Sequence, residues 1–334
     1  MIFSRAPGIG LDIGNKKIKL VRIKRGGQGV KLVDYGCKFS PPGSVEAGMI
    51  QDPERLGERL GELVDDMKMS KQPAVSVVAG PQVYIRNFVM PRMKSRELKT
   101  AVRYESSTFL PIPIDEAAID ISPLQYFEDE EGKKVEVFFV AVRKLQVENL
   151  RLACEIAGLK LAAVEIEPLA LHRLSSRDPS EQQVFVNVGA SRSTFSVFKG
   201  EALIFNRHLS FGCSAFAQSY LHGQDTPFTG LQSIEIGSSG EHQYLVRDMI
   251  AELARAMEYY NMQKSETINN LWLCGGGAQL KGLDQALSEG INCPVSIFDS
   301  LRRVEIPDNI DETVRKELKY DYAVALGLAA RGVI

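Results

Sequence analysis

The 334-residue sequence is short of nearly everything that marks a secreted, membrane-spanning or metal-bearing chain. Its five cysteines, at 37, 154, 213, 274 and 293, include no Cys-x-x-Cys pair, which argues against a zinc site or disulfide framework and for reduced thiols in the cytoplasm. The four histidines are widely separated and offer no metal constellation. No window reaches the roughly 20 apolar residues that cross a bilayer. The opening MIFSRAP is interrupted by Pro7 too soon to read as a secretion signal. With 40 Lys+Arg against 42 Asp+Glu, the formal net charge is −2, and no basic excess suits nucleic acid. What remains, 44% hydrophobic and 25% charged, is the composition of a soluble α/β protein.

Two stretches share one plan: GIGLDIGNKKIKLVRI at residues 8–23 and VFVNVGASRSTFSVFKG at residues 184–200. Each has an apolar run, a polar residue, a Gly turn and a second run alternating with period two, which predicts a β-hairpin. A tight strand–Gly–strand turn leaves backbone N–H groups pointing outward, ready to cradle an anion. Singly, each is an ordinary hairpin; as a pair they suggest an internal duplication.

The rest of the chain fits that duplication. A third strand is expected at Gln28–Phe39, then a helix capped by Asp52, opened by Pro53 and running to about Met69. Strands at 75–79 and 84–90 precede a helix capped by Ser95. Two strands around the acidic turn EDEEGKK, a helix at 145–157 stopped by Gly158 and a strand at 161–166 complete a βαββαβ-type insert over 86–165. The second half restarts at Val184 and continues with a strand in EALIFNRHLS, a helix near 212–221, a loop over 223–243 and a long helix over 245–263. A buried strand, Leu271–Cys274, runs into Gly275-Gly276-Gly277, and a helix over 281–288, a strand over 295–298 and a final apolar helix over 320–330 follow.

This pattern resembles the actin-like ATPase superfamily. LDIGNKKIKL stands at its first phosphate loop, NVGASRSTFSV at its second, LCGGGAQLKGL at its adenosine motif and EIEPLALHRL at its connecting helix. PRMKSRELKTAVRYESSTFLPIPIDEAAID, with the chain's beginning and the ending YAVALGLAARG, resembles the PilM family of type IV pilus assembly proteins. The resemblance implies a two-lobed, duplicated, ribonuclease H-like α/β fold with an FtsA-type inserted subdomain. The lobes would be 1–85 with 145–182, and 183–334, with the insert at 86–165 overlapping a lobe boundary. It further implies a cytoplasmic ATP-binding scaffold, peripheral to the inner membrane through its partner. That partner would be the N-terminal cytoplasmic tail of PilN, within a platform of other pilus proteins. FtsA-type proteins carry a C-terminal membrane helix, and Arg331-Gly332-Val333-Ile334 shows none, so direct membrane insertion is not expected. A slow ATPase or a filament-forming protein of the FtsA type is the alternative.

The resemblance also assigns residues. Asp12 would hold Mg2+ through water, or simply cap its turn. Gly14, Asn15 and Lys16, and Gly189, Ala190 and Ser191, would present N–H groups to phosphate, with Asn15 where relatives carry Ser or Thr. Lys17 and Lys19 either add charge or are solvated strand lysines. Asn187 stands where Asp is usual, and losing that charge argues for weak or absent hydrolysis. Glu167 orients an attacking water or suits the dipole at the start of its helix. Gly275, Gly276 and Gly277 would let adenine lie against backbone, with Glu252 and Arg255 near the nucleoside. Arg86, Arg103 and Phe109 would line a partner groove between insert and first lobe, with Arg92 a further basic candidate nearby.

Overall fold

The computed structural model describes residues 8–27, 29–175, 181–220, 231, 234–236 and 242–333. Ile9–Ile13 (β1) buries Ile9, Leu11 and Ile13 on one face and Gly10 on the other, where Asp12 stands near the strand's end. Lys17–Arg25 (β2) turns Ile18 and Leu20 inward, and Val30–Phe39 (β3) completes an antiparallel meander. The expected start of that third strand, Gln28, lies outside the described residues. Val45–Glu46 (β4) and Met49–Ile50 (β5) form a small hairpin before Pro53–Asp66 (α1). The Asp52 side chain accepts from the Arg55 N–H at 3.0 Å, and Pro53 sits in the first turn, where its missing N–H costs nothing. Pro73–Val78 (β6) then pairs with β1 in parallel.

The insert comprises Tyr84–Pro91 (β7), Ser95–Ser106 (α2), Ala117–Asp129 (β8) and Gly132–Arg143 (β9), with strand order β7-β9-β8. The helix cap is Lys94, not Ser95, and the Lys94 N–H donates to the Glu97 carboxylate at 3.1 Å. One sheet face buries Leu98 and Val102 of α2 together with Leu110 and Ile112 of FLPIPI. The apolar connection therefore fills the insert's own core. The opposite face sets Phe138, Val140 and Val142 against the first lobe.

Two expected boundaries are redrawn. After Lys144–Ile156 (α3), which packs on α1, Lys160–Ile166 (β10) pairs in parallel with β6, Glu165 opposite Val77. Residues 144–166 thus pair and pack with the first lobe, where 145–182 was expected, and the overlap with the insert is removed by ending the insert at Arg143 instead of 165. At the other end, Val304–Glu305 (β16; the elements between are given next) adds to the edge of β3, so the first sheet reads β10-β6-β1-β2-β3-β16.

Glu167–Arg173 (α4) leads to the second lobe: Gln182–Val188 (β11), Ser193–Lys199 (β12), Ala202–Leu209 (β13), Ser214–Tyr220 (α5), Gln243–Lys264 (α6), Leu271–Cys274 (β14), Leu283–Ile291 (α7) and Val295–Ile297 (β15). Its sheet order is β13-β12-β11-β14-β15. The expected loop at 223–243 lies largely outside the described residues. Glu312–Asp321 (α8) and Ala323–Ala329 (α9) replace the single expected terminal helix, with the break at Tyr322. Every residue of α9 is buried, and its apolar side chains share one core with β1 and β2. Residues from about Leu301 onward therefore contribute to the first lobe's core, although 183–334 was expected as one lobe.

Candidate functional site

The two hairpin turns are built alike. The Gly14 N–H donates to the Lys17 carbonyl at 2.9 Å, and the Gly189 N–H donates to the Arg192 carbonyl at 2.9 Å. Asp12 faces Lys19 across the first hairpin, and Asn187 faces Thr194 across the second. The turns meet at one cleft lined by Asp12, Gly14, Asn15, Lys16, Glu167, Asn187, Gly189, Ala190, Ser191, Gly275 and Gly276. Eleven of the residues singled out from sequence thus converge, although they span both halves of the chain.

Three do not converge. Gly277 lies beneath the cleft, and a Cβ there would collide with the Val188 side chain. Glu252 faces a neighbouring pocket that shares Ala190 and Ser191, where its carboxylate accepts from the Ser210 N–H at 2.7 Å. Arg255 is exposed on α6 and lines neither pocket. The long helix therefore passes one layer behind the turns.

The lysines that could have been solvated are held inside. Lys17 Nζ lies 2.8 Å from Asp321 Oδ2, with side-chain exposures of 12% and 10%. The other Asp321 oxygen accepts from Gln279 Nε2 at 2.7 Å, so one carboxylate ties the first turn to the glycine turn of the second lobe. Lys19 Nζ lies 3.2 Å from Asp12 Oδ2, with exposures of 16% and 15%. Burial alone would lower the Lys19 pKa, but the negative charges of Asp12 and Asp321 outweigh it and hold the ammonium above its ordinary value. Asn15 turns the other way: its Oδ1 accepts from the Gly48 N–H at 3.2 Å and braces the β4–β5 hairpin.

Asn187 donates its amide to Glu167, while its own buried oxygen has no partner in the structure. Gly275 must be glycine on two counts: its φ is +82°, and a Cβ would strike that Asn187 oxygen. Burial pushes the Glu167 carboxyl up to about 7, with the charge of Asp12 adding to the rise, while the Asn187 amide and Lys19 oppose it. The carboxyl therefore keeps its proton to a higher pH than an ordinary glutamate does. His208, also on the cleft wall, has its pKa lowered by burial and then by Arg192.

A second opening of about 310 Å3 brings together Arg86, Phe109, Leu110 and Phe139 of the insert with Asn206 and His208 of β13. The Arg86 guanidinium lies 4.4 Å from the centre of the Phe109 ring. The opening faces the second lobe, since the insert's contact with the first lobe is filled by Phe138 and Val142. Arg103 is not part of it: it lies 3.0 Å from Asp115 on the exposed side of α2. His208 borders both openings, which no local sequence pattern signals.

Two meander-and-helix lobes with opposed glycine turns across one cleft define an actin-like ATPase fold. The chain belongs to the family described as type IV pilus assembly protein PilM, which matches residues 10–333. It is similar to a solved PilM-PilN type IV pilus biogenesis complex, with 25% identity, 99% of each chain covered and a TM-score of 0.85. The ethanolamine utilization protein EutJ from Carboxydothermus hydrogenoformans shares the fold alone, at 14% identity over 96% of this chain and 88% of that one, with a TM-score of 0.53.

Proposed function

We propose that this protein is an actin-like nucleotide-binding scaffold of the type IV pilus inner-membrane platform, and that it holds the N-terminal cytoplasmic tail of PilN. The observation that carries this reading is the whole-chain likeness to a solved PilM-PilN complex. Recruitment by that tail would place a protein whose described helices include none long and apolar enough to cross a membrane at the cytoplasmic face of the inner membrane. The opening beside Arg86 and Phe109 suits an extended apolar segment, with the guanidinium available to an acidic group.

ATP and ADP are the ligands proposed for the interlobe cleft. Backbone N–H groups of both turns and the ammonium groups of Lys17 and Lys19 supply donors and positive charge, and Gly275 and Gly276 leave the base room against backbone. Hydrolysis is slow or absent in this reading. Asn187 brings no charge to the reacting end, and Glu167 is engaged by the Asn187 amide instead of being free to orient a water.

The experiment is a pair of titrations on the purified protein, one with ATP and one with the labelled synthetic PilN tail. Gly276→Val is expected to lose ATP binding and keep the tail, because the side chain enters the cleft beside Asp321. Arg86→Glu is expected to lose the tail and keep ATP. Tail binding absent from the native protein overturns the scaffold reading, and unchanged ATP affinity in folded Gly276→Val overturns the cleft assignment.

A further inference from the structure

The divalent ion that the family resemblance implies beside Asp12 does not fit the residues found there. Asp12 is already answered by the Lys19 ammonium at 3.2 Å, and both side chains are largely withdrawn from solvent. The matching position across the cleft is the neutral Asn187, and the nearest other carboxyl, Glu167, is engaged by that same amide. Among the described residues, no group of three or more His, Cys, Asp or Glu side chains could hold a metal ion. A hard cation gains its affinity from unscreened carboxylate oxygen, and here the two aspartates of the cleft lining, Asp12 and Asp321, are each matched by a lysine ammonium.

We infer that Lys19 is a built-in counter-cation, so that a nucleoside di- or triphosphate binds this cleft with no requirement for a divalent metal. The inference rests on the nucleotide reading above. Lys19 is placed by the hairpin register itself: Asp12 and Lys19 are directly opposed residues of β1 and β2, which sets the ammonium beside the carboxylate. Lys17, two residues before it on the same face of β2, adds a second ammonium at the mouth of that turn, held by Asp321. Lys19 takes up the charge of Asp12 that a metal would otherwise answer, and the Lys17 ammonium exchanges Asp321 for phosphate oxygen when the ligand enters, beside the N–H groups of the turns. The second hairpin has no counterpart of the Asp12–Lys19 pair, because Asn187 and Thr194 hold those positions, and its charged cleft residue is Arg192.

The test is calorimetric titration of ATP into the native protein in excess EDTA and again in excess Mg2+. The two dissociation constants are expected to agree within about threefold, well under the tenfold step that 1.4 kcal/mol represents. Lys19→Met frees Asp12, so it is expected to bind at least about tenfold more weakly in EDTA and to recover most of that loss with Mg2+. A native protein that weakens about tenfold or more in EDTA overturns the inference and leaves the nucleotide reading standing. So does a folded Lys19→Met that binds equally well in EDTA. A native protein that binds ATP in neither buffer overturns the nucleotide reading and the inference together. The comparison of buffers needs no variant, so misfolding of Lys19→Met cannot rescue the idea.

Discussion

The hairpin at 9–25 and the hairpin at 182–199 share a turn hydrogen bond, a register and a place at the cleft, yet they differ in the charge they bring there. At three matched cleft positions the first has Asp12, Lys17 and Lys19, all charged, and the second has Asn187, Arg192 and Thr194, of which Arg192 alone is charged. Two residues before the polar position, the first has Gly10 and the second has Phe185. Backbone geometry is therefore what the duplication preserves, and side-chain chemistry is what each copy gave up or kept. The reason differs by position. At Gly10 the neighbour is α9, whose Ala325 carbonyl would collide with any Cβ. At Phe185 the sheet instead meets a ring cluster, with Phe298 at 5.2 Å and Phe198 at 6.0 Å, and His172 of α4 stacked on Phe198 at 4.1 Å.

Exchanging those two positions is the harshest way to break the comparison. Phe185→Ala should cost about 3–5 kcal/mol of unfolding free energy, the range for emptying a fully packed aromatic site. Gly10→Val should cost at least about 3 kcal/mol, because α9 has backbone where the side chain must go and cannot yield as a rotamer would. Urea unfolding followed by circular dichroism reads both. A mild Gly10→Val would mean that α9 is not the tight lid on β1 described above.

The charge difference is next in size. Asn187→Asp makes the second hairpin carry the first one's acid without its lysine, beside Glu167 in a buried place. It should destabilise by about 2 kcal/mol at neutral pH, the order of an unpaired buried charge. Adding Thr194→Lys restores the opposed pair, and the double variant should recover part of the loss. If the single variant is neutral, the Asp12–Lys19 pairing does not explain why the second copy lacks a charged pair at those positions.

Much of this comparison was legible beforehand, and the part that was not has a physical reason. Both turns, the Asp52 cap and the strand into Gly275 are local patterns of period two and glycine spacing, and the resemblance to the actin-like motifs turned those patterns and the connecting helix into eleven named cleft residues. The locations of Lys17 and Lys19 could not. Lys17 finds its carboxylate 304 positions away, and no window of sequence contains both. The return of β16 and α9 to the first lobe was missed for a related cause: β16 is a two-residue strand, and α8 buries only Leu318, too little periodicity to separate it from loop. Arg103 lies apart from the opening beside Arg86 and Phe109, paired with Asp115, and sequence does not say which side of α2 meets that opening.

Glu167 sharpens the comparison through pH. Its carboxyl rises from an ordinary 4.5 to about 7 on folding. Below pH 4.5 both states hold the proton and the group contributes nothing. Between 4.5 and about 7 the unfolded chain loses the proton first, so stability falls as pH rises, and it levels off above that window. Glu167→Gln keeps an acceptor for the Asn187 amide and removes the titration. Its stability relative to the native protein should therefore grow across that window, by about 1–2 kcal/mol once solvent at the cleft is allowed for. Urea midpoints at several pH values give the curve, and a flat difference would place Glu167 in water.

The smallest effect expected is at the pair of basic residues that close the two turns. Lys17 is locked to Asp321, whereas Arg192 has none of the described ion pairs and lies near His208. Arg192→Gln should change stability by less than about 0.5 kcal/mol, as for a surface position with no partner to lose. Its signature is on His208, where burial and then the Arg192 charge lower the imidazole pKa from 6.5. Removing the charge should raise that pKa, and it should stay below 6.5 because burial, the larger cause, is untouched. The sign for folding follows. A histidine kept neutral in the folded state costs stability as pH falls below 6.5, when the unfolded chain takes up a proton that the folded chain refuses. Arg192→Gln should soften that acid loss, visible as a shallower fall in urea midpoint below pH 6.5, alongside the NMR titration of His208. The opposite control is Lys17→Gln, which leaves Asp321 half-buried without its ammonium and should cost more than Arg192→Gln. Equal costs for the two would show that the turns differ less than their ion pairs suggest.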